Sequence, residues 1–165
     1  MDKKNRIIEL EWNEFYENCH KLSLNIKKDV DMEKCKGLIA VTRGGLAAVA
    51  VLSHSLGIKN IDVIGISSYD DGICEKQKKL KLTKIPSCAE TKGKDWIVVD
   101  ELCDSGKTIE YIKTILPEAY YAVVTVKMNS KKFVDSYGVC CSDGAWIVYP
   151  WEQREHSDSE EELCF

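Results

Sequence analysis

The chain has 165 residues, of which 44% are hydrophobic and 30% charged, with a formal net charge of -4 at pH 7. This length suits one domain over residues 1–165, and the balance is that of a soluble globular protein. The negative net charge argues against nucleic acid as a partner, because duplex binding normally needs a concentrated positive face.

Two further classes are disfavoured by the distribution of apolar residues and cysteines. The longest apolar stretch, residues 37–57, is interrupted by Arg43 and His54, so we expect no transmembrane segment and a cytoplasmic protein. The eight cysteines are scattered and include no Cys-x-x-Cys pair. We therefore expect reduced thiols rather than a disulfide framework or a metal cluster.

The first half of the chain predicts a helix, a strand and a second helix. The strand covers residues 37–41 and ends in a glycine turn, and the helix over residues 46–56 is stopped by Gly57. The opening amphipathic helix is predicted from apolar residues at helical spacing, namely Trp12, Phe15, Cys19, Leu22 and Ile26.

The second half alternates in the same way after a long connection. A strand over residues 61–66 leads into a lysine-rich stretch, about 68–90, that is long enough to be a lid or binding loop. Four apolar residues without alternation, 96–99, predict a strand buried on both faces. A helix over 109–116 and strands over 120–126 and 145–149 follow. Strands alternating with helices predict an α/β fold with a mainly parallel central sheet flanked by helices.

The last residues, 152–165, are acidic and nearly free of apolar side chains. We expect a solvated tail, and the docking of Leu163 and Phe165 onto the domain stays an open alternative.

The segment Val98-Val99-Asp100-Glu101-Leu102-Cys103-Asp104-Ser105-Gly106-Lys107-Thr108 carries the strongest chemical signal. Ligands of open parallel sheets bind beyond the carboxyl ends of the strands, where this segment places three carboxylates. The turn from Ser105 to Thr108 leads into a helix, so its backbone N–H groups can hold a phosphate. Adjacent Asp100 and Glu101 suit sugar hydroxyls or hydrated Mg²⁺, which prefers oxygen ligands.

The segment allows two other interpretations. A P-loop would need glycine where Glu101 stands, so the sequence Gly106-Lys107-Thr108 only partly matches that motif. The purely structural alternative is a strand that ends in acidic residues, with Ser105 capping the next helix.

This segment resembles the phosphoribosyl pyrophosphate signature of type I phosphoribosyltransferases. That signature has two acidic residues, two apolar ones, Asp-Thr/Ser-Gly, and a small or basic residue before Thr. Further short segments resemble segments of the bacterial xanthine-guanine phosphoribosyltransferases and occur in the same order. They extend the resemblance over roughly residues 36–152. They are residues 37–46, 56–58, 66–70 and 146–151. The resemblance implies the type I phosphoribosyltransferase fold, with a flexible lid over about 68–90 and a small base-recognition hood over about 127–152.

The resemblance also implies an activity and a cofactor. The reaction would transfer the 5-phosphoribosyl group from phosphoribosyl pyrophosphate to a 6-oxopurine, which is guanine, xanthine or hypoxanthine. A nucleoside monophosphate and pyrophosphate would form, with Mg²⁺ as cofactor. Asp100 and Glu101 would bind the ribose hydroxyls and the metal, and Asp104 would be the catalytic group facing purine N7. The 5-phosphate would lie on Ser105, Gly106, Lys107 and Thr108.

Pyrophosphate would be bound by Arg43 and Gly44, and in the family the peptide between those two residues is often strained or cis. Base recognition falls on Lys127, Trp146 and the main chain of Ile147. A lysine ammonium has only donors, so Lys127 suits the carbonyl at purine C6 and not the amino group of adenine. Trp146 offers a flat face for stacking. The alternatives to base recognition are that Lys127 is an ordinary surface lysine and that Trp146 is a core tryptophan.

The chain departs from the family pattern at two points. Family members usually carry Asp where Glu101 stands, so the metal contact would be longer or pass through water. The lid arginine that reaches pyrophosphate is missing, since no arginine lies between Arg43 and Arg154, and Lys76 is the substitute that we predict. Relatives are commonly dimers or tetramers, which predicts a homo-oligomer. A non-catalytic regulatory protein that binds nucleotide or nucleic acid is the alternative, and transfer to a pyrimidine fits Lys127 and Trp146 less well.

Overall fold

The structure is a computed structural model and describes residues 6–69 and 79–152. Within these ranges the chain forms helices α1 (Trp12–Asp29), α2 (Gly45–Leu56) and α3 (Lys107–Lys113), and 3-10 helices over Ser87–Thr91 and Met128–Phe133. The strands are β1 (Arg6–Glu9), β2 (Gly37–Thr42), β3 (Ile61–Tyr69), β4 (Lys79–Lys84), β5 (Trp96–Cys103), β6 (Tyr120–Lys127), β7 (Ser136–Cys141) and β8 (Ala145–Val148).

Six strands form the central sheet in the order β4-β3-β2-β5-β6-β7. All neighbours are parallel except β3 and β4, which pair antiparallel. The predicted α/β fold with a mainly parallel sheet is confirmed. Because β2, β5 and β6 run in the same direction, their carboxyl ends meet at one edge of the sheet.

Both faces of the sheet are covered, which explains the apolar runs without alternation. Leu38 and Ala40 of β2 pack into the cluster formed with α1 and α2, whereas Ile39 and Val41 belong to the cluster with α3. Successive side chains of a strand point to opposite faces, so a strand between two helical layers must be apolar at every position.

A second, two-stranded sheet joins the start of the chain to its last described strand. β1 and β8 pair parallel, with Ile7 opposite Trp146. An aromatic cluster beside it fixes α1 against the segment after β8. The ring of Phe15 lies edge-on to Trp151 at a centroid distance of 4.9 Å, and Tyr149 stacks on Trp151 at 4.8 Å.

The long connection after β3 differs from the prediction. Residues 68–90 were expected to be an irregular loop, but β3 continues to Tyr69 and β4 returns antiparallel to it. The leucines of β4 alternate with polar residues, a period-two pattern typical of a strand and overlooked in a lysine-rich segment. Residues 70–78, with Lys76, and the tail from residue 153 lie outside the described residues.

Two expectations on cysteines and membrane segments can be compared with the structure. The described cysteines are free thiols, as predicted: Cys19, Cys35, Cys88, Cys103, Cys140 and Cys141. Among the helices described over residues 6–69 and 79–152, none has the length and hydropathy needed to cross a membrane.

Replacing Phe15 with Ala tests whether the aromatic cluster holds α1 in place. Phe15 is fully buried, so Phe15→Ala should lower the free energy of unfolding by about 3–5 kcal/mol, the range for a large core deletion. The matched control is Tyr16→Ala on the exposed side of the same helix, expected to change stability by less than about 0.5 kcal/mol. Urea unfolding measures the stability of both variants. Equal losses would contradict the packing of Phe15 in the aromatic cluster.

Candidate active site

Three strand ends bring the predicted site residues together. Arg43 follows β2, the acidic residues lie at the end of β5, and Lys127 ends β6. A pocket of about 450 Å³ opens here, lined by Arg43, Gly44, Leu46, Ala47, Glu101, Trp151 and Glu152. A smaller one of about 200 Å³ is lined by Val41, Thr42, Arg43, Gly44, Ile66, Leu80, Asp100, Glu101 and Thr108. Because the two pockets share Arg43, Gly44 and Glu101, they adjoin.

The acidic pair Asp100 and Glu101 lies where the buried part of β5 ends. The Asp100 carboxylate accepts a hydrogen bond from the Glu101 N–H at 2.9 Å. Burial, and then the charge of Glu101 beside it, raise the pKa of Asp100 well above its usual range. The Glu101 Oε2 atom is buried without a hydrogen-bond partner among the described residues. A buried carboxylate oxygen without a partner is costly, so a cation or donor at this position would be stabilising.

The turn after β2 lies against the Glu101 side chain. A Cβ atom at Gly44 would overlap the Glu101 carboxylate, and one at Gly45 would lie 2.5 Å from the Val99 carbonyl oxygen. This close approach accounts for both glycines. The cis peptide bond is between Thr42 and Arg43, one residue earlier than the Arg43–Gly44 bond that the family resemblance implied.

The turn that leads into α3 has the exposed side chains Ser105 and Lys107 on either side of a buried glycine. Gly106 has φ +82°, in the left-handed region, and a Cβ atom there would overlap the ring of Phe133. The helix begins at Lys107, two residues earlier than predicted, and ends at Lys113. Its first N–H groups have no acceptor within the helix, so they can serve a ligand.

Lys127 and Asp104 form an ion pair, with the Lys127 Nζ atom 2.8 Å from an Asp104 oxygen. The lysine side chain is only 11% exposed, whereas that of Asp104 is 63% exposed. The ammonium also donates to the Asp143 carbonyl at 3.2 Å. The surface-lysine alternative is therefore wrong. The core-tryptophan alternative is also wrong, because Trp146 is 56% exposed, next to buried Ile147.

Sequence reasoning missed residues that follow β8. Glu152, expected in a solvated tail, lines the larger pocket with Trp151 and accepts the Tyr149 N–H at 3.0 Å. The Tyr149 hydroxyl donates to the Glu101 carbonyl at 2.9 Å. The available signal was the run Pro-Trp-Glu directly after the strand predicted over residues 145–149, since strand ends carry the other site residues too.

The described residues contain no group of three or more His, Cys, Asp or Glu side chains placed to hold a metal ion. The residues predicted to hold a metal here are the two adjacent carboxylates Asp100 and Glu101. That donor set fits Mg²⁺, which usually takes one or two carboxylates and completes its shell with water and substrate oxygens.

Comparison with known proteins gives one consistent result. Residues 10–154 match the model of the phosphoribosyl transferase domain. The xanthine-guanine phosphoribosyltransferase of Desulfotalea psychrophila is 32% identical over 92% of this chain and 89% of its own. A crystal structure of a purine phosphoribosyltransferase from Pyrococcus horikoshii superposes with a TM-score of 0.71 at 26% identity, covering 88% of this chain and 93% of that one.

A Neisseria gonorrhoeae protein solved with bound ppGpp has a TM-score of 0.72 at 25% identity, covering 92% of both chains. The chain belongs to the phosphoribosyltransferase family. The predicted family, its fold and the assignment as an enzyme are confirmed.

The Gly106 turn can be tested by stability. Gly106→Ala places a Cβ atom at φ +82° and against Phe133, so we expect a loss of about 1–3 kcal/mol in the free energy of unfolding. Gly144→Ala is the matched control, because nothing lies within 4 Å of its Cβ position. Urea unfolding measures the stability of both variants. An unchanged free energy of unfolding in Gly106→Ala would rule out the tight turn.

Proposed function

We propose that the chain is a magnesium-dependent purine phosphoribosyltransferase that transfers the 5-phosphoribosyl group to guanine, xanthine or hypoxanthine. The observation that carries the proposal is the ion pair of Lys127 and Asp104, next to the turn before α3. A donor and an acceptor lie side by side there, within reach of a phosphate-binding turn.

The chemistry of the purine edge explains this choice of base. The edge of a 6-oxopurine presents the O6 acceptor beside N7, whereas adenine presents an amino donor in place of O6. Lys127 has only donors and suits O6. The Asp104 carboxylate then faces N7, where it can hold the proton or offset the charge that develops on the ring. Exposed Trp146 offers its face to the base, and the Ile147 main chain can bond the far edge.

The proposed sugar-phosphate contacts follow the strand ends. Arg43 and Gly44 would bind pyrophosphate, and the 5-phosphate would lie on the N–H groups and side chains of the turn, which are those of Ser105, Gly106, Lys107 and Thr108. Lys76 stays a proposal for the pyrophosphate side, outside the described residues.

Asp100 and Glu101 would hold Mg²⁺ and the ribose hydroxyls, supported by the unpartnered Glu101 oxygen. Bound there, Mg²⁺ would offset charge on the departing pyrophosphate. Arg43 would stabilise the same charge from the other side of the pocket, a preorganised contribution of the kind that usually dominates catalysis.

In the proposed reaction, the bond from ribose C1 to pyrophosphate breaks while the base nitrogen forms the new bond on the opposite face. The products are the nucleoside monophosphate and pyrophosphate. Closure of the segment over residues 68–90 would exclude water, which otherwise hydrolyses the activated sugar. A role in purine salvage, a cytoplasmic location and assembly into a dimer or tetramer are further proposals.

The ppGpp bound to the Neisseria neighbour favours nucleotide binding as a second candidate function, beside transfer by the same enzyme. A calorimetric titration with nucleotide tests this binding separately from the transfer assay, which measures the release of pyrophosphate.

Substrate choice tests the role of the base site. With phosphoribosyl pyrophosphate and Mg²⁺, we expect a spectrophotometric assay to give product with one or more of guanine, xanthine and hypoxanthine, and none with adenine. Lys127→Ala should raise the KM of the oxopurine more than that of phosphoribosyl pyrophosphate. Lys94→Ala is the control, because Lys94 is exposed and lies just before the amino end of β5, away from the site. Adenine as the best substrate would refute the assignment.

Substitution of the two acidic positions should separate chemistry from metal binding. Asp104→Asn keeps the shape and removes the charge, so turnover should fall by roughly 10² or more, as for a general base, with phosphoribosyl pyrophosphate binding little changed. Glu101→Gln should instead shift activity toward higher Mg²⁺ concentration. Kinetics across a magnesium series and calorimetric titration measure both effects. Normal turnover of Asp104→Asn would remove Asp104 from the mechanism.

A further inference from the structure

The 3-10 helix Met128–Phe133, called here the bracket helix, contacts the segments that carry both members of the ion pair. Its Ser130 hydroxyl donates to the Asp104 carbonyl, and the Ser130 carbonyl accepts the Cys103 thiol at 3.9 Å. Ser130 is buried. The bracket helix is therefore anchored to the end of β5 by one buried and one partly buried contact.

The same helix holds the loop between β7 and β8. One Asp143 carboxylate oxygen accepts the Asn129 N–H at 2.9 Å, and the other accepts the Asn129 side-chain amide at 2.7 Å. Both residues are exposed, so these bonds stabilise the fold only modestly. Their effect is local, because they fix the backbone of Asp143, whose carbonyl accepts the Lys127 ammonium.

The three donors of the Lys127 ammonium can now be assigned. One goes to the Asp104 carboxylate and one to the Asp143 carbonyl. The third has no protein acceptor among the described residues, and in the proposed function it is the one that meets the carbonyl at purine C6. A lysine held by Asp104 alone could rotate about that single contact, whereas two fixed acceptors leave one direction for the third donor.

We infer that Asp143, held by Asn129, is a positioning residue that orients the Lys127 ammonium toward the base. This inference rests on the proposed function for its link to the base. The contact between Asp143 and Lys127 is a property of the protein alone and can be tested without a substrate.

The kinetic test compares four variants in the transfer assay. Asp143→Ala removes both bonds to Asn129, so the KM of the oxopurine should rise roughly 5- to 10-fold, as expected for the loss of about one hydrogen bond. The KM of phosphoribosyl pyrophosphate should stay within about twofold, because its proposed contacts lie elsewhere. Asn129→Ala keeps the N–H bond and should have a smaller effect. Asp143→Asn keeps an acceptor for that N–H and should restore most of the wild-type KM, and Ser142→Ala is the control in the same loop.

The second readout is the acetylation rate of Lys127 by acetic anhydride, followed by mass spectrometry on the intact folded chain. Asp143→Ala should make Lys127 react several-fold faster, while Lys94 reacts at an unchanged rate. An oxopurine KM unchanged in Asp143→Ala, or a parallel rise in the KM of both substrates, would overturn the inference. If the wild-type chain transfers nothing, the proposed function fails, and the acetylation rate alone decides whether Asp143 positions Lys127. An unchanged acetylation rate of Lys127 in Asp143→Ala would then refute the positioning role of Asp143.

Discussion

The burial of β5 on both faces is the constraint on which the site depends. The strand lies between β2 and β6 with helices on either side, so its interior must be apolar, and polar groups can appear only where it leaves the sheet. Asp100 sits at that boundary and shares the poorly solvated surroundings of Val98 and Val99. The raised pKa of Asp100 is the direct result, because a carboxylate is destabilised by burial next to another carboxylate. A bound cation is the natural compensation.

The positive side chains of the site also lie near the carboxyl ends of the central strands. A protein with a net charge of -4 has no general attraction for a polyphosphate, so it must supply positive potential locally. In the proposed function, Arg43 after β2 and Lys107 at the start of α3 supply that potential, while Lys127 at the end of β6 faces the base. The pairing of Lys127 with Asp104 keeps one of these charges inside the hydrogen-bonded framework before any ligand arrives. In the proposed function, binding of a base would add an acceptor to an ammonium that is already oriented.

Much of the fold was predictable from sequence because the central elements are defined by strong local signals. The apolar runs of β2, β5 and β6 and the period of α1 predicted these elements, and the acidic run after β5 predicted where the site lies. The edge strands β4 and β7 were missed: the alternation of β4 lies within a lysine-rich segment, and both strands are stabilised by pairing with a neighbour. β1 was missed because its four residues form a strand only by pairing with β8, which lies almost 140 positions later in the chain.

The site was predictable for residues in motifs and not for those whose role depends on tertiary contacts. Nothing in the sequence near Asp143 indicates that its carbonyl accepts the Lys127 ammonium. The same holds for Tyr149, which follows β8 and whose hydroxyl reaches the Glu101 carbonyl from 48 residues away in sequence. Short-range patterns cannot encode such contacts, because they exist only once the strand ends have been brought to one edge.

The Glu101 side chain, which departs from the family pattern, lies in close contact with the turn after β2. A glutamate carboxylate extends one methylene further than an aspartate, and here it lies over Gly44, where no side chain could fit. The Glu101 main-chain carbonyl meanwhile accepts the Tyr149 hydroxyl. The carboxylate is thus directed toward the Arg43 turn, and it lines both pockets beside that residue. The metal-side and pyrophosphate-side contacts proposed for the enzyme therefore meet at one pair, Gly44 and Glu101, and a side chain at position 44 would disturb both at once.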